Sequence, residues 1–496
     1  MPSLNLSKSQ FLRGLQCHKS LWLYKHKPDL RTPPDKSLQV IFNTGTEVGI
    51  LAQNLFPNGK EIVFEEGSFQ DKIQKTKELI NDGVKTIYEA TFSYSDVLVM
   101  VDIFHKGEKG WEIYEVKSST AKSVIERRDI YLNDLSVQYF VLSGCELPIS
   151  NSSLVCLNNE YVKKGNLDVK ELFCIKELTE GVKENQKSTN SQLRNMQTML
   201  KGKCPDIDIG RHCSDPYGCD FTEHCWKHIP EYSVFDISRL NWSKRFELYY
   251  GGIVKLKDIP EDYHLPKNQR LQVDVELTKK DVINKKGIKE FLDTVYYPAY
   301  FLDFETFMPA IPLFNGTRPY RKIPFQFSLH SLENKNAKLK HYEFLAKEGT
   351  DPREEIAKRL TKLISGEGRV IAYNMSFEKG VIENLAKDFP KYSKNLLIIH
   401  DNIIDLMIPF QKKHYYTKEM KGSYSIKVIL QALLPDLTYE GMAISDGNDA
   451  MNTYATLHLL KDKEEVNKIR GGLLEYCRLD TFAMVKLLEK LGNAIN

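Results

Sequence analysis

Two acidic residues in the second half of the sequence have the spacing of a divalent-cation site. Asp303 and Glu305 alternate along the apolar segment FLDFET, so on a β-strand both carboxylates would project from the same face. Carboxylates held side by side repel each other, and hard oxygen ligands of this kind suit Mg²⁺ or Mn²⁺. Glu378 follows in YNMSFEKGVI, and Tyr476 and Asp480 lie four residues apart in YCRLD, on one face of a helix. The spacing of Asp303 and Glu305 therefore predicts a metal site, and the helix presents the hydroxyl of Tyr476 and the carboxylate of Asp480 together.

A second group with similar chemistry lies in the first half. Asp102 comes near the end of the apolar run VLVMVDIF, and Glu115 and Lys117 end the next predicted strand, two residues apart and so on one face. Pairing of the two strands would bring Asp102 beside them. The carboxylates would bind a metal, and the lysine would assist water activation or neutralise a phosphate. Gln138 on the following helix and Glu47 on an earlier helix are further candidates.

The nine cysteines are an odd number in a chain whose first residues have no signal-peptide pattern, which favours reduced thiols or metal ligands over disulfides. Cys213, Cys219 and Cys225 are evenly spaced, and Cys17 stands far upstream. Besides a ligand set that combines Cys17 with the three later cysteines, two alternatives remain open: unliganded buried thiols and a local zinc site. The zinc site would use Cys204, Cys213, Cys219 and Cys225, with His212, His224 or His228. The remaining four cysteines, Cys145, Cys156, Cys174 and Cys477, lie in apolar contexts typical of a core.

Two αβ patterns must position these residues. In the first, the sequence predicts a strand over 86–104, a returning strand over 111–116, a helix over 130–142 and a strand over 153–157. In the second, strands are expected at 299–304, 324–331, 340–345 and 369–373, and helices at 352–365, 376–387, 425–433 and 473–492. The basic and aromatic stretch 412–416 is interpreted as a solvated loop, with contact to a nucleic-acid strand as the alternative.

The segments FLDFET, YNMSFEKGVI and YCRLD, in this order, resemble the DEDDy branch of the DnaQ-like exonucleases, which have a ribonuclease H-like fold. The resemblance covers about residues 295–490. It implies that Asp303, Glu305 and Asp480 hold two metal ions, and that Tyr476 orients the attacking water or helps to deprotonate it. Glu378 stands where that family has aspartate, and Asp405 is the fallback for the same role.

The first half resembles the RecB-like nucleases of the PD-(D/E)XK superfamily, with Asp102, Glu115, Lys117 and Gln138 in the expected order. Glu47 lies where such enzymes often place another ligand. One early and three clustered late cysteines resemble the iron–sulfur subclass of these nucleases. This implies a structural [4Fe–4S] cluster held by Cys17, Cys213, Cys219 and Cys225.

Taken whole, the chain is similar to uncharacterised bacterial proteins that fuse these two nuclease types. The expected domains are a restriction-endonuclease-like domain over 1–228, a helical linker or hairpin over 229–290 and a ribonuclease H-like domain with a mixed sheet over 291–496. The resemblance implies a metal-dependent nuclease with two active sites, acting on DNA in preference to RNA in repair, recombination or defence. A nucleic-acid-binding scaffold with one or both sites inactive is the alternative.

Length and charge fit these expectations. The 496 residues allow two or three domains. The net charge of +3, from 69 basic and 66 acidic residues, neither demands nor excludes nucleic acid, because a binding groove needs only local positive potential. No segment reaches the apolar length of a membrane helix, so no membrane association is expected and a cytoplasmic location is predicted.

Overall fold

The chain divides into two units, each built around its own mixed β-sheet. The computed structural model describes residues 5–63 and 66–496. Unit 1 comprises residues 1–228 and 309–321, and unit 2 comprises residues 229–308 and 322–496. Among the described residues, no helix combines the length and the apolar character that crossing a membrane requires.

The units differ from the expected domains in two segments. Residues 229–290 were expected to form a separate linker, but they belong to unit 2, because Val275 and Ile288 pack into a core of that unit. Residues 309–321 belong to unit 1 and not to the C-terminal domain. There Ala310 joins a core cluster, and the backbone N–H of Lys163 donates to the carbonyl of Thr317 at 3.0 Å.

Unit 1 contains a seven-stranded sheet and ten α-helices in its described residues. The strands are β1 (Leu6–Ser7), β2 (Lys60–Glu61), β3 (Thr86–Tyr94), β4 (Val97–Lys106), β5 (Trp111–Thr120), β6 (Ile149–Leu157) and β7 (Phe173–Glu177). The helices are α1 (Lys8–Gln16), α2 (His18–His26), α3 (Lys36–Ala52), α4 (Phe69–Asn81), α5 (Ala121–Glu126), α6 (Arg128–Gly144), α7 (Val169–Leu172), α8 (Thr179–Glu184), α9 (Gln186–Leu200) and α10 (Thr222–Trp226).

The strand predicted over 86–104 is in fact a hairpin of β3 and β4. Ser95 and Asp96 both have positive φ angles, 52° and 60°, as two-residue hairpin turns require. The sheet order is β2-β3-β4-β5-β6-β7, with β1 also paired to β4. Strand β5 is antiparallel to β4 and parallel to β6. One face of the sheet packs against α6, through Leu135 and Val141, and the other packs against Val48 of α3.

Unit 2 contains a five-stranded sheet, a two-stranded sheet and ten α-helices in its described residues. The strands are β8 (Val282–Ile283), β9 (Ala299–Phe307), β10 (Ile323–Leu332), β11 (Lys340–Leu345), β12 (Arg369–Ala372), β13 (Ile403–Asp405) and β14 (Tyr415–Tyr416). The helices are α11 (Trp242–Tyr250), α12 (Lys267–Thr278), α13 (Lys285–Leu292), α14 (Arg353–Leu363), α15 (Ser376–Asp388), α16 (Pro390–Asp401), α17 (Ile408–Gln411), α18 (Ile426–Leu433), α19 (Gly447–Leu457) and α20 (Lys463–Ile495).

The large sheet of unit 2 has the order β11-β10-β9-β12-β13 and is mixed. Strand β9 pairs antiparallel with β10 and parallel with β12. Phe301 of β9 faces a core that includes Met484 and Leu487 of α20, whereas Leu302 faces the core under α14 and α15. The interpretation of 412–416 as a solvated loop is wrong, because Tyr415 and Tyr416 are buried in β14, which pairs with β8.

Gly368 gives a test of this arrangement because it lies directly before β12 with a φ of +85°. A Cβ atom at this position would lie 1.9 Å from the carbonyl oxygen of Pro298, which also accepts the backbone N–H of Arg369. We expect Gly368→Ala to lower the free energy of unfolding by about 2 kcal/mol or more, measured by chemical denaturation.

The matched control is Gly471→Ala, at an exposed position of α20 where a Cβ atom meets nothing within 4 Å. Alanine has a higher helix propensity than glycine, so the free energy of unfolding of this variant should rise by about 0.5–1 kcal/mol. Equal stability of the two variants would contradict the geometry described for Gly368.

Candidate metal centres

The sheet of unit 2 presents two carboxylates toward α20. Asp303 and Glu305 lie on the same face of β9 as Phe301, which packs in the core that contains α20. Carboxylate oxygens of Asp303 and Glu305 and the thiol of Cys477 all lie within 4.8 Å of one another. Glu305 is buried and Asp303 is half-buried. The two acids predicted from FLDFET are therefore adjacent, and a residue of α20 reaches them.

Helix α20 is held against the sheet by buried hydrogen bonds from β10. Gln326 donates from its side chain to the carbonyl of Leu473 at 2.8 Å. Ser328 and His330 each form a hydrogen bond with the hydroxyl of Thr481, at 2.7 and 2.8 Å. Gln326 and Ser328 are also the β10 partners of Glu305 and Asp303 in the sheet. These bonds fix the turn of α20 that carries Tyr476 and Asp480 over the two acids.

Burial raises the pKa values of the carboxylates in this centre, and repulsion between carboxylates adds to the effect at Asp303 and Glu305. Burial, and then the charge of Asp480, raise the pKa of Asp303 well above its usual range. Burial and the charges of Asp303 and Asp480 do the same for Glu305. Burial raises the pKa of Asp480 to about 6. In the described part of the chain no cationic side chain forms an ion pair with any of these acids, although the charge of Lys427, beyond ion-pair distance, works against the rise in the pKa values of Glu305 and Asp480.

Glu378 joins this centre, whereas its fallback Asp405 does not. Glu378 is buried in the first turn of α15, and burial followed by the charge of Asp303 raises its pKa. Its Oε2 atom is buried without a hydrogen-bond partner. Asp405 instead accepts the backbone N–H groups of Asn374, Met375 and Met407 at 2.9–3.3 Å, so it stabilises the turn after β12.

Three further residues at this centre were not predicted. The Tyr439 hydroxyl donates to Asp480 Oδ1 at 2.6 Å, and the Lys427 ammonium lies 5.3 Å from the Tyr439 ring and 5.5 Å from that of Tyr476. The Cys477 thiol, expected in an apolar core, is buried but donates to Asp303 Oδ2 at 3.5 Å. Only Cys477 had a sequence signal, because it lies beside Tyr476 in YCRLD.

In unit 1 the structure brings together four of the predicted residues. Glu115 Oε1 accepts from the Lys117 ammonium at 2.7 Å, and Glu115 Oε2 accepts from the Gln138 amide at 2.8 Å. Asp102 Oδ2 accepts the backbone N–H of Val116, between Glu115 and Lys117, at 2.6 Å. Burial and the charge of Glu115 raise the pKa of Asp102 to about 8. Strands β4 and β5 therefore juxtapose these groups as their pairing predicts.

Lys8 and Asp134 complete a ring of charges in unit 1. The Lys8 ammonium lies 2.6 Å from Glu115 Oε1 and 3.5 Å from Asp134 Oδ1, and Lys117 lies 2.6 Å from Asp134 Oδ2. Burial alone would raise the pKa of Asp134, but Lys117 and Lys8 lower it to about 2. Asp134 lies four residues before Gln138 on α6, so helical spacing could have identified it. Lys8 is 107 residues from Glu115 and gave no such signal.

The structure does not bring Glu47 into this group. Glu47 is exposed on α3, and within the described ranges no hydrogen bond or ion pair connects it to Asp102 or Glu115. Glu89 of β3 is closer to these acids. Its pKa is raised by burial and by the charge of Glu115, and its own charge raises the pKa of Asp102.

The four cysteines predicted as ligands, Cys17, Cys213, Cys219 and Cys225, line one pocket of unit 1. Asp220, next to Cys219, accepts two hydrogen bonds from Arg13, at 2.6 and 3.0 Å, and pairs with Arg31. These contacts hold the segment around Cys17 against the late cysteine segment. Cys204 does not line the pocket, although His212 does.

The spacing of the thiols separates the possible ligands. Tetrahedral zinc with bonds of about 2.3 Å places its sulfur ligands about 3.8 Å apart. Among the residues that the structure describes, no three cysteine or histidine ligand atoms of this pocket lie within 4.8 Å of one another. The described pocket therefore does not show the close ligand spacing of a single tetrahedral zinc site.

Comparison with known proteins adds one match. Residues 300–425, about a quarter of the chain, match a family model described as a domain of unknown function (DUF2779). This segment contains Asp303, Glu305 and Glu378 and ends before Tyr476 and Asp480. No curated protein and no solved structure matches the chain.

The raised pKa of Asp303 predicts how the stability of unit 2 depends on pH. An unfolded aspartate has a pKa near 3.9, so the folded state keeps a proton that the unfolded state loses as the pH rises above about 4. The charged carboxylate therefore lowers stability progressively, until the pH passes the folded pKa. We expect Asp303→Asn to raise the midpoint of thermal unfolding by a few degrees in EDTA, since ~1 kcal/mol shifts it by about 2–4 °C.

The increase should be larger at pH 8 than at pH 5, as measured by calorimetry. Asp436→Asn, which removes an exposed carboxylate, should leave the midpoint unchanged at both pH values. A midpoint for Asp303→Asn at or below that of the wild type at pH 8 would show that the Asp303 charge carries no penalty.

Proposed function

We propose that the protein is a metal-dependent nuclease with two active sites, and that unit 2 is a 3′–5′ exonuclease of the DEDD type. One observation carries this proposal: Asp303, Glu305, Glu378 and Asp480 are gathered without a paired cation, beside Tyr476. Four buried carboxylates that form no ion pair in the described residues reduce stability unless they bind something positive. The mixed sheet of unit 2 is consistent with the ribonuclease H-like fold that the sequence resembles.

The residues of unit 2 fit two divalent cations. Asp303, Glu305 and Asp480 would hold them, and the orphaned Oε2 of Glu378 supplies a further acceptor. Two such ions, when bound, stabilise the attacking and leaving oxygens of a phosphodiester. Tyr476 would orient the attacking water, because its hydroxyl lies in the field of Asp480, Glu305 and Asp303, which together with burial raise its pKa. Tyr439 would hold Asp480 through its hydrogen bond.

For unit 1 we propose a PD-(D/E)XK-type site that cuts DNA. Asp102 and Glu115 would hold a cation, because Asp102 keeps one oxygen without a partner among the described residues and its pKa is raised. Lys117 and Lys8 would neutralise a phosphate group. Gln138 holds the orientation of Glu115. DNA is the proposed substrate class for both units.

We also propose that Cys17, Cys213, Cys219 and Cys225 hold a [4Fe–4S] cluster. The pocket that the four thiols share supports this assignment. The cluster would be structural, because it would join the segment after α1 to the segment between α9 and α10, which Asp220 already ties together.

Nuclease activity can be measured on labelled single-stranded DNA with Mn²⁺. We expect Asp303→Asn to reduce the release of nucleotides from 3′ ends by about 100-fold or more, because even residues that only support metal ligands contribute 10–100-fold. Glu115→Gln should leave that release in place and remove the remaining cleavage. Asp436→Asn should retain both activities.

Two outcomes would contradict the proposal. If the metal-loaded wild type leaves DNA and RNA intact but binds them, the protein is a nucleic-acid-binding scaffold. If RNA alone is degraded, DNA is the wrong substrate class. Loss of activity in Asp303→Asn cannot be attributed to unfolding if the same preparation shows the raised thermal midpoint.

The cysteine pocket predicts a coloured protein. Anaerobically purified wild type should be brown, with broad visible absorbance and about four iron and four sulfide ions per chain, as a [4Fe–4S] cluster requires. Cys17→Ser should lose the iron and the absorbance. Cys145→Ser, which changes a half-buried thiol outside the pocket, should keep both. A colourless wild type with one zinc ion per chain would contradict the assignment.

A further inference from the structure

Glu89 lies in the middle of β3 at a break in the pairing with β4. Tyr88 pairs with Ile103 and Ala90 pairs with Val101, so Glu89 and Asp102 stand opposite each other without pairing in the ladder. Glu89 also has a φ of +55°, whereas the rest of β3 is extended. At this break Glu89 and Asp102 leave the ladder at the same level, so the two acids lie beside each other on adjacent strands, and the charge of Glu89 raises the pKa of Asp102.

The two lysines of unit 1 form their ion pairs with other acids, although the charge of Lys8 also acts on Glu89 and Asp102. Lys8 and Lys117 are engaged by Glu115 Oε1 and by the two oxygens of Asp134. In the described part of the chain, the Glu89 carboxylate has no hydrogen-bond or ion-pair partner, and Asp102 accepts only one bond, at Oδ2. Among the described residues, Asp102 and Glu89 are therefore the acids of this site that form no ion pair.

A second acceptor at the same place is also unused. Gln138 is fully buried, its amide nitrogen donates to Glu115 Oε2, and its Oε1 atom has no hydrogen-bond partner. A buried amide oxygen without a partner costs about 1–3 kcal/mol. Its neighbours at Glu115 and Asp134 are acceptors too, so only a donor or a cation could satisfy it.

We propose that Glu89 is the third carboxylate ligand of a divalent cation in unit 1, together with Asp102 and Glu115. Glu89 takes the role that the sequence resemblance assigns to Glu47. The assignment rests on the proposed nuclease site of unit 1 and extends it by one residue. Oxygen-only coordination by three carboxylates selects Mg²⁺ or Mn²⁺ over zinc.

The test measures Mn²⁺ binding directly, by electron paramagnetic resonance and calorimetry, on the full chain. Asp303→Asn and Glu305→Gln are present throughout, so that the centre of unit 2 does not contribute. In this background we expect Glu89→Gln to weaken Mn²⁺ binding by at least about tenfold, the lower bound for residues that support a metal. Glu47→Gln and Glu61→Gln should bind as the parent does.

Glu61→Gln is the matched control, because Glu61 is exposed on β2 and its charge also acts on Glu89. Glu61→Gln is the same change of residue type as Glu89→Gln, and it also removes one negative charge from the surroundings of the site. The thermal midpoint of Glu89→Gln should equal or exceed that of the parent in EDTA, because a repelling charge is lost. If the midpoint is lower, the Mn²⁺ affinity is measured on Glu89→Ala instead, and the same reduction in affinity is expected.

The outcomes separate the two proposals. If the parent binds Mn²⁺, Asp102→Asn abolishes binding and Glu89→Gln binds normally, then Glu89 is not a ligand and the nuclease site stands without it. If Glu47→Gln weakens binding instead, the role belongs to Glu47 and the assignment of Glu89 is overturned. If the parent binds no Mn²⁺, the proposed metal site of unit 1 fails together with Glu89.

Discussion

Burial of carboxylates that repel one another is the constraint on which both units depend. Unit 2 places Asp303 beside Glu305, Glu378 and Asp480 without an ion pair in the described residues, so its acids hold protons at pH values where exposed acids do not. Unit 1 gathers a similar set but inserts two ammonium groups, Lys8 and Lys117. A folded chain retains such repulsion only where the rest of the structure is stable enough to offset it. Unit 2 would therefore gain more stability from an added cation than unit 1, whose acids already pair with these two ammonium groups.

The elements around each site are arranged to impose this proximity. In unit 2 the buried side chains of Gln326 and Ser328 bond α20 to β10. Apolar residues at the same positions would also pack, but they would not fix the rotation and height of the helix. Because Asp480 lies one residue before Thr481, the bond from Ser328 to Thr481 also determines where the carboxylate sits. Hydrogen bonds inside a core specify register, and here register is what the site requires.

Local patterns predicted those parts of the sites that depend on local geometry. Alternation along β9 predicts that Asp303 and Glu305 share a face, and pairing of β4 with β5 predicts that Asp102 meets Glu115. What the sequence could not show depends on contacts between distant segments. Lys8 reaches Glu115 only because α1 packs against α6 and β4. In unit 2, the loop after α18 carries Tyr439, whose hydroxyl donates to Asp480. Composition alone likewise suggested exposure for β14, where the small sheet with β8 buries both tyrosines.

Helix α1 connects the cysteine pocket of unit 1 to its charged site. Lys8 is its first residue and lies on Glu115, whereas Cys17 follows its last residue and lines the pocket. Between them, Arg13 binds Asp220, and the Gln16 side chain donates to the carbonyls of His212 and Tyr217 in the late cysteine segment. A helix of nine residues is about 13 Å long and rigid on that scale. The position of the thiols and the position of Lys8 are therefore coupled through α1, so the proposed cluster would stabilise the arrangement of charges in a site that it does not touch.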